Sequence, residues 1–147
     1  MLIDSAIRTP IAISFGAIAG ALSRYYLTLW FVQRWGSGFP LGTFVINLTG
    51  CFGMGFLVTI FAAFSAIVSP ELRLLILTGF FGAYTTFSTY GLESYSLFEQ
   101  ALTTSRNFLS FLALGSYWLG SAVLGVLSIG LGVAIAQLML KLLTVNR

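Results

Sequence analysis

The chain has 147 residues, of which 58% are hydrophobic and 7% charged, with no histidine and a single cysteine, Cys51. A soluble domain carries roughly 25% charged residues, so eleven charged side chains and a mean hydropathy of +0.98 exclude a cytosolic globule and point to the bilayer. The missing histidine removes His-based acid–base chemistry and His-ligated metals, the lone cysteine excludes an intrachain disulfide framework, and the net charge of +3 is scattered with no polybasic run for nucleic acid.

Charges punctuate the sequence, and the intervals between them define the spans. Arg8 and Arg24 bracket fifteen uncharged residues; Trp35–Pro70, Leu74–Leu92 and Asn107–Leu140 give 36, 19 and 34 more. About 20 apolar residues cross the hydrocarbon core, so four transmembrane helices are predicted, over 11–32, 40–64, 72–97 and 109–140, forming one unit across 1–147. The first apolar segment lacks the basic start and small-residue cleavage pattern of a signal peptide.

Span one ends in a cluster of Tyr25, Tyr26, Trp30 and Trp35, the composition of an interfacial aromatic belt. It carries Arg24, which serves either as an interfacial anchor or as a permanent cation raising anion concentration at a vestibule. Gly16 and Gly20 form a GxxxG pair, for which ordinary packing within the chain is the simpler reading and a dimer seam the sharper one. A Gly-rich turn, residues 35–39, leads to Pro40, suited to the first turn of span two.

Span two places Asn47 about eight residues in, where a carboxamide must find partners or serve a passing ligand. Ser69-Pro70-Glu71 reads as a cap and first turn. Span three begins apolar and then becomes GFFGAYTTFSTYGLE, residues 79–93, whose glycines and hydroxyl residues weaken a continuous helix. It is either an uninterrupted helix with back-bonded hydroxyls or a helix broken at membrane depth, which is tolerated only beside a cavity or an ion. Freed carbonyls near Gly82–Thr85 would be hard-oxygen ligands for a small cation. Phe87 and Tyr90 share a face, and the positive edges of their rings suit a small anion. On span four, Tyr117, Ser121 and Gly125 form a stripe with two hydroxyl donors. Glu93 is the one acid plausibly near a span interior.

Four spans put both termini on one side. Arg8, Arg73, Lys141 and Arg147 then face Arg24, Arg34 and Arg106, a flat distribution that suits insertion in both orientations. Four short helices hardly surround a pore, so a solute pathway implies an oligomer. Neutral donors at Asn47, Thr86, Ser88, Tyr117 and Ser121, with at most one acid, favour an anion.

Three pieces, GAIAGALSRYY at 16–26, PLGTFVINLTGCFGMG at 40–55 and GFFGAYTTFSTYGLE at 79–93, occur in order at suitable spacing. Over essentially its whole length the chain resembles the Fluc (CrcB) fluoride channels. The resemblance implies an all-α integral membrane protein with a third helix broken mid-membrane, assembled as an antiparallel dual-topology homodimer. It also implies passive fluoride export across the inner (plasma) membrane through two antiparallel pathways, relieving fluoride toxicity, and no enzyme activity. A structural Na⁺ would sit at the dimer centre on the carbonyls of Gly82 and Thr85. Asn47 would be the pore amide, Arg24 the vestibule arginine and Phe87 the first ring of an aromatic box. Thr86, Ser88 and Thr89 would be the hydroxyl segment around it, Glu93 the supporting acid, and Tyr117 and Ser121 donors along the fluoride track. Tyr90 stands where a second phenylalanine is common, Ala83 replaces a frequent glycine, Gly125 stands where another serine occurs in relatives, and residues 94–116 form a longer link. The competing reading, a proton-coupled exporter of the small multidrug resistance type, needs a carboxylate within span one, which is absent from 11–32. A non-transporting adaptor would not need so polar a third span.

Overall fold

A computed structural model describes residues 2–103 and 107–145, all of its regular structure helical. Arg106 and Arg147, which entered the charge comparison, lie outside the described residues. Helix α1 is Leu2–Trp35 and passes through Pro10, so it starts earlier than predicted. Gly36, at φ +78°, ends it with the left-handed turn that glycine adopts without strain. Helix α2 is Leu41–Ala63 with Pro40 as its cap rather than inside its first turn. The third span is two half-helices: α3 over 70–84 and α4, Phe87–Thr103, with α5, Phe108–Val145, completing the chain. Among the described residues three helices, α1, α2 and α5, are each long and apolar enough to span a membrane. Together α3 and α4 hold 32 helical residues, more than the about 20 that a fourth crossing needs.

Ser69 caps α3 as predicted, its Oγ accepting from Leu72 N–H at 3.2 Å, with Pro70 in the first turn. Arg73 follows and donates from Nη2 to the Phe61 carbonyl at 2.9 Å, setting a cation against the C-terminal end of α2. From Leu74 to Phe81 the helix widens into a π-helix before three α-helical residues, Gly82–Tyr84. The sequence gives no sign of this widening, because the Leu-Leu-Ile-Leu run reads as ordinary helix.

The widened stretch packs on α1. A Cβ on Gly16 would run into the Leu75 carbonyl, one on Gly20 into the Phe80 carbonyl, and one on Gly79 would stand 3.0 Å from Gly16 Cα. The GxxxG pair therefore packs within the chain, backbone against backbone, on the widened stretch. Helix α2 meets α5 in the same way, with Gly55 against the Ile129 backbone and Gly132 against Phe52. Lipid tails are as apolar as leucine, so this close approach, rather than hydrophobic exclusion, holds the bundle.

Candidate functional site

The helix stops at Thr85, whose backbone is extended (φ −77°, ψ 156°), whereas Gly82 is still helical (φ −63°, ψ −32°). The break predicted over Gly82–Thr85 thus falls at its C-terminal edge, between Thr85 and Thr86. Extended backbone leaves polar groups without helix partners, and neighbouring side chains take them up. Asn47 on α2 pairs with both sides of Thr86, its Oδ1 accepting from Thr86 N–H at 2.9 Å and its Nδ2 donating to Thr86 O at 3.2 Å. The Thr86 hydroxyl then caps α4, accepting from Thr89 N–H at 3.2 Å and donating to Thr89 Oγ1 at 3.0 Å.

These diversions identify released carbonyls. In a continuous helix the amides of Thr86 and Thr89 would point back to the carbonyls of Gly82 and Thr85. Both amides are bonded to side chains instead. The two residues expected to hold Na⁺ are therefore ones whose carbonyls lose their helix amides, and the donor set fits a hard cation. No group of His, Cys, Asp or Glu suited to a metal occurs among the described residues, so backbone oxygen is the ligand chemistry on offer.

Against the break lies a groove between α2, α4 and α5. It is lined by Asn47, Thr85, Thr86, Phe87, Tyr90 and Ser121, with Cys51, Gly125 and aliphatic side chains below, and no charged residue among them. Phe87 and Tyr90 meet at 5.7 Å between centroids, and Tyr90 meets Tyr117 at 5.5 Å. Most hydroxyl hydrogens in the groove are already committed. Thr85 donates to Phe81 O at 2.9 Å, and Tyr90 donates away from the groove to Trp118 O at 2.8 Å. Tyr90 therefore presents a ring, and its extra hydroxyl adds no free donor. Two strong side-chain donors remain beside the weak Cys51 thiol: the second N–H of Asn47 Nδ2, and Ser121 Oγ, buried without a hydrogen-bond partner.

The other predicted residues lie apart. Ser88 is exposed and Thr89 half-buried, and neither lines the groove. Tyr117 is fully buried behind Tyr90 and donates to Glu93 Oε2 at 2.6 Å. Thr43 donates to Glu93 Oε1 at 2.9 Å, so one carboxylate gathers a hydroxyl from α2 and another from α5. On the far side of Glu93 a second cavity opens towards the α1–α2 turn, lined by Thr28, Ser37, Thr43, Glu93, Ser96 and Gln100 among others. Arg24 is half-buried and lines neither space. Thr43 escaped the sequence reading, although it lies four residues before Asn47 and so on the same face of α2.

Residues 11–133 match the family model described as CrcB-like protein, Camphor Resistance (CrcB). A protein of Trichormus variabilis named fluoride-specific ion channel FluC is 53% identical over 138 residues, covering 94% of this chain and 95% of its own length. Proteins of the same name from Synechococcus sp. and Synechocystis sp. are 47% and 45% identical, covering 93% and 90% of this chain and 98% and 95% of their own lengths. With its glycine-packed helices, its third crossing broken at Thr85 and these relatives matching nearly end to end, the chain belongs to the CrcB family of multi-pass membrane proteins.

Proposed function

We propose that the chain is a fluoride-selective channel that lets fluoride leave the cell passively across the plasma (inner) membrane and so relieves fluoride toxicity. The observation that carries the reading is the donor inventory of the groove. An uncharged lining offers one amide N–H, one unpartnered serine hydroxyl and two aromatic rings, and it offers no acid. An anion gains from each of these, and no carboxylate in the lining stands ready to draw a cation there instead. The names of the relatives supply the identity of the anion.

In this reading the working unit is an inverted homodimer with two antiparallel pathways. Phe87 is 85% exposed, and Gly82 and Ser88 beside the break are exposed as well. Irregular backbone at membrane depth is not left against lipid, so a second copy covers it, and the flat Lys/Arg distribution suits that copy's opposite orientation. Two sets of Gly82 and Thr85 carbonyls would then enclose a structural Na⁺, which when bound supplies fixed positive charge beside the anion paths. Fluoride enters the groove at Asn47 and Ser121, passes the edges of Phe87 and Tyr90, and reaches Tyr117. There it competes with the Glu93 carboxylate for the tyrosine hydroxyl before entering the cavity beyond. Arg24 acts from the vestibule, and Ser88 and Thr89 flank the ring pair.

Efflux from liposomes containing the purified protein, followed with fluoride- and chloride-selective electrodes in parallel, tests the reading. Fast fluoride loss with little chloride loss is expected; comparable loss of both, or of neither, would count against it. Ser121→Ala sharpens the test. The hydroxyl bonds to nothing in the protein, so its removal should leave thermal unfolding unchanged or slightly later. Fluoride efflux should fall about tenfold, the weight of one hydrogen bond to an ion. Unaltered efflux would take Ser121 off the path.

A further inference from the structure

Residues 84–86 cross over α2 rather than run along it. Successive residues of an α-helix turn by about 100°, so Ile46 and Gly50 lie together while Asn47 and Thr49 flank them on opposite sides. Thr85 sits over Gly50: a Cβ there would collide with Thr85 Cγ2 and come within 3.1 Å of Tyr84 Cδ1. One flank carries the pairing of Asn47 with Thr86. On the other, the Tyr84 hydroxyl lies 3.0 Å from Thr49 Oγ1. The Thr49 hydroxyl also has the carbonyls of Val45 (2.8 Å) and Ile46 (3.1 Å) as acceptors, an arrangement that leaves Tyr84 to donate. Its ring is 9% exposed, stacked on Phe80 at 5.5 Å and packed with Ile46 and Phe81. Phenylalanine would fill that apolar space without the cost of burying a hydroxyl. The hydroxyl instead ties the last residue of α3 to α2, immediately before the chain turns outward.

We propose that Tyr84 is a positioning residue: its hydroxyl, anchored on Thr49, sets the direction in which the Thr85 peptide leaves α3. Asn47 fixes the chain after the break and Tyr84 fixes it before, so together they hold the Thr85 carbonyl and the wall of the groove in register. Neither Tyr84 nor Thr49 touches an ion. The inference rests on the channel reading above and deepens it. It requires only an acceptor at position 49, so serine should serve there and valine should not.

The test compares Tyr84→Phe, Thr49→Val, Thr49→Ser and the Tyr84→Phe/Thr49→Val double variant. Two quantities are measured on the full chain: the ratio of fluoride to chloride efflux from liposomes, and the Na⁺ concentration that half-protects the purified protein from thermal unfolding. Tyr84→Phe and Thr49→Val should each raise the Na⁺ midpoint and narrow the efflux ratio about fivefold, the equilibrium weight of one ordinary hydrogen bond. Thr49→Ser should match wild type, and the double variant should be no worse than either single one. Lower melting with both quantities unchanged would make the hydroxyl merely structural and overturn the proposal, as would additive effects in the double variant. Wild-type protein that passes no fluoride would overturn the channel reading and this proposal with it. If wild type passes fluoride without any Na⁺ dependence, the cation site falls and the efflux ratio alone decides the role of Tyr84.

Discussion

Asn47→Asp is expected to lower fluoride efflux by about a thousandfold. The substitution keeps the shape of the side chain and the bond from Thr86 N–H to Oδ1, and it turns the donor that faces Thr86 O into an acceptor. The Thr86 carbonyl then loses its partner and faces an oxygen at the 3.2 Å now spanned by a hydrogen bond. The larger effect is charge. The groove has no charged lining residue, and a carboxylate about 4 Å from a passing anion repels it by about 4 kcal/mol at an effective dielectric constant of 20. That corresponds to roughly three powers of ten in rate. Asn47→Leu separates the two roles, since it removes both bonds to Thr86 and adds no charge. It should unfold at a lower temperature than Asn47→Asp and yet conduct better. The same electrode assay and a thermal melt on both variants check this ordering. Wild-type flux in Asn47→Asp would remove Asn47 from the ion path while leaving its pairing with Thr86 intact.

The crossings were legible because the bilayer imposes its own length on any uncharged interval, and the four intervals between charges correspond to α1, α2, the α3–α4 pair and α5. The break was legible as a region, since Gly82, Thr85, Thr86, Ser88 and Thr89 all weaken a helix. Its position was not, because composition alone does not show which residue turns outward. That choice belongs to α2. Asn47 captures the Thr86 amide, and Gly50 leaves room for the Thr85 methyl. The widening over Leu74–Phe81 was hidden as well, because its own leucines read as ordinary helix and the glycines it packs on lie in α1.

Side-chain chemistry was legible by type and less so by availability. Tyr117 and Thr86 were expected to offer hydroxyl hydrogens, and both give them to protein acceptors, Glu93 Oε2 and Thr89 Oγ1. A sequence shows that a donor exists; only the packed structure shows whether it is spent. Ser121 is the converse case, an ordinary serine in an apolar helix that becomes informative through the absence of a partner for its buried oxygen. Thr43 and Glu93, fifty residues apart in sequence, meet because α2 and α4 lean together beside Tyr117. The spacing of Thr43 from Asn47 marked it as facing the same way, which was the one signal available.

Gly16→Val is expected to disrupt the fold more than any change in the groove. Three glycines, Gly16, Gly20 and Gly79, let α1 and α3 touch along their backbones, and the atoms a new side chain would strike are backbone atoms: the Leu75 carbonyl and Phe80 N, the latter at 2.8 Å. A flexible side chain could swing aside, but here a whole helix must shift. Overpacking of this kind costs about 1–3 kcal/mol, and here the separation also removes the dispersion contacts along the pair, for which a bilayer offers no hydrophobic replacement. The shift would be felt at the break, because Phe80 and Tyr84 follow Gly79 directly and pack there on Ile46. Gly115→Ala is the matched comparison: nothing lies within 4 Å of its Cβ position, and alanine is the better helix former by about 1 kcal/mol. It should melt at or above the wild-type temperature and conduct normally, while Gly16→Val should accumulate poorly in membranes, melt early and lose fluoride selectivity in whatever protein survives. Equal melting and equal flux for the two variants would mean that α1 does not hold the broken helix in place.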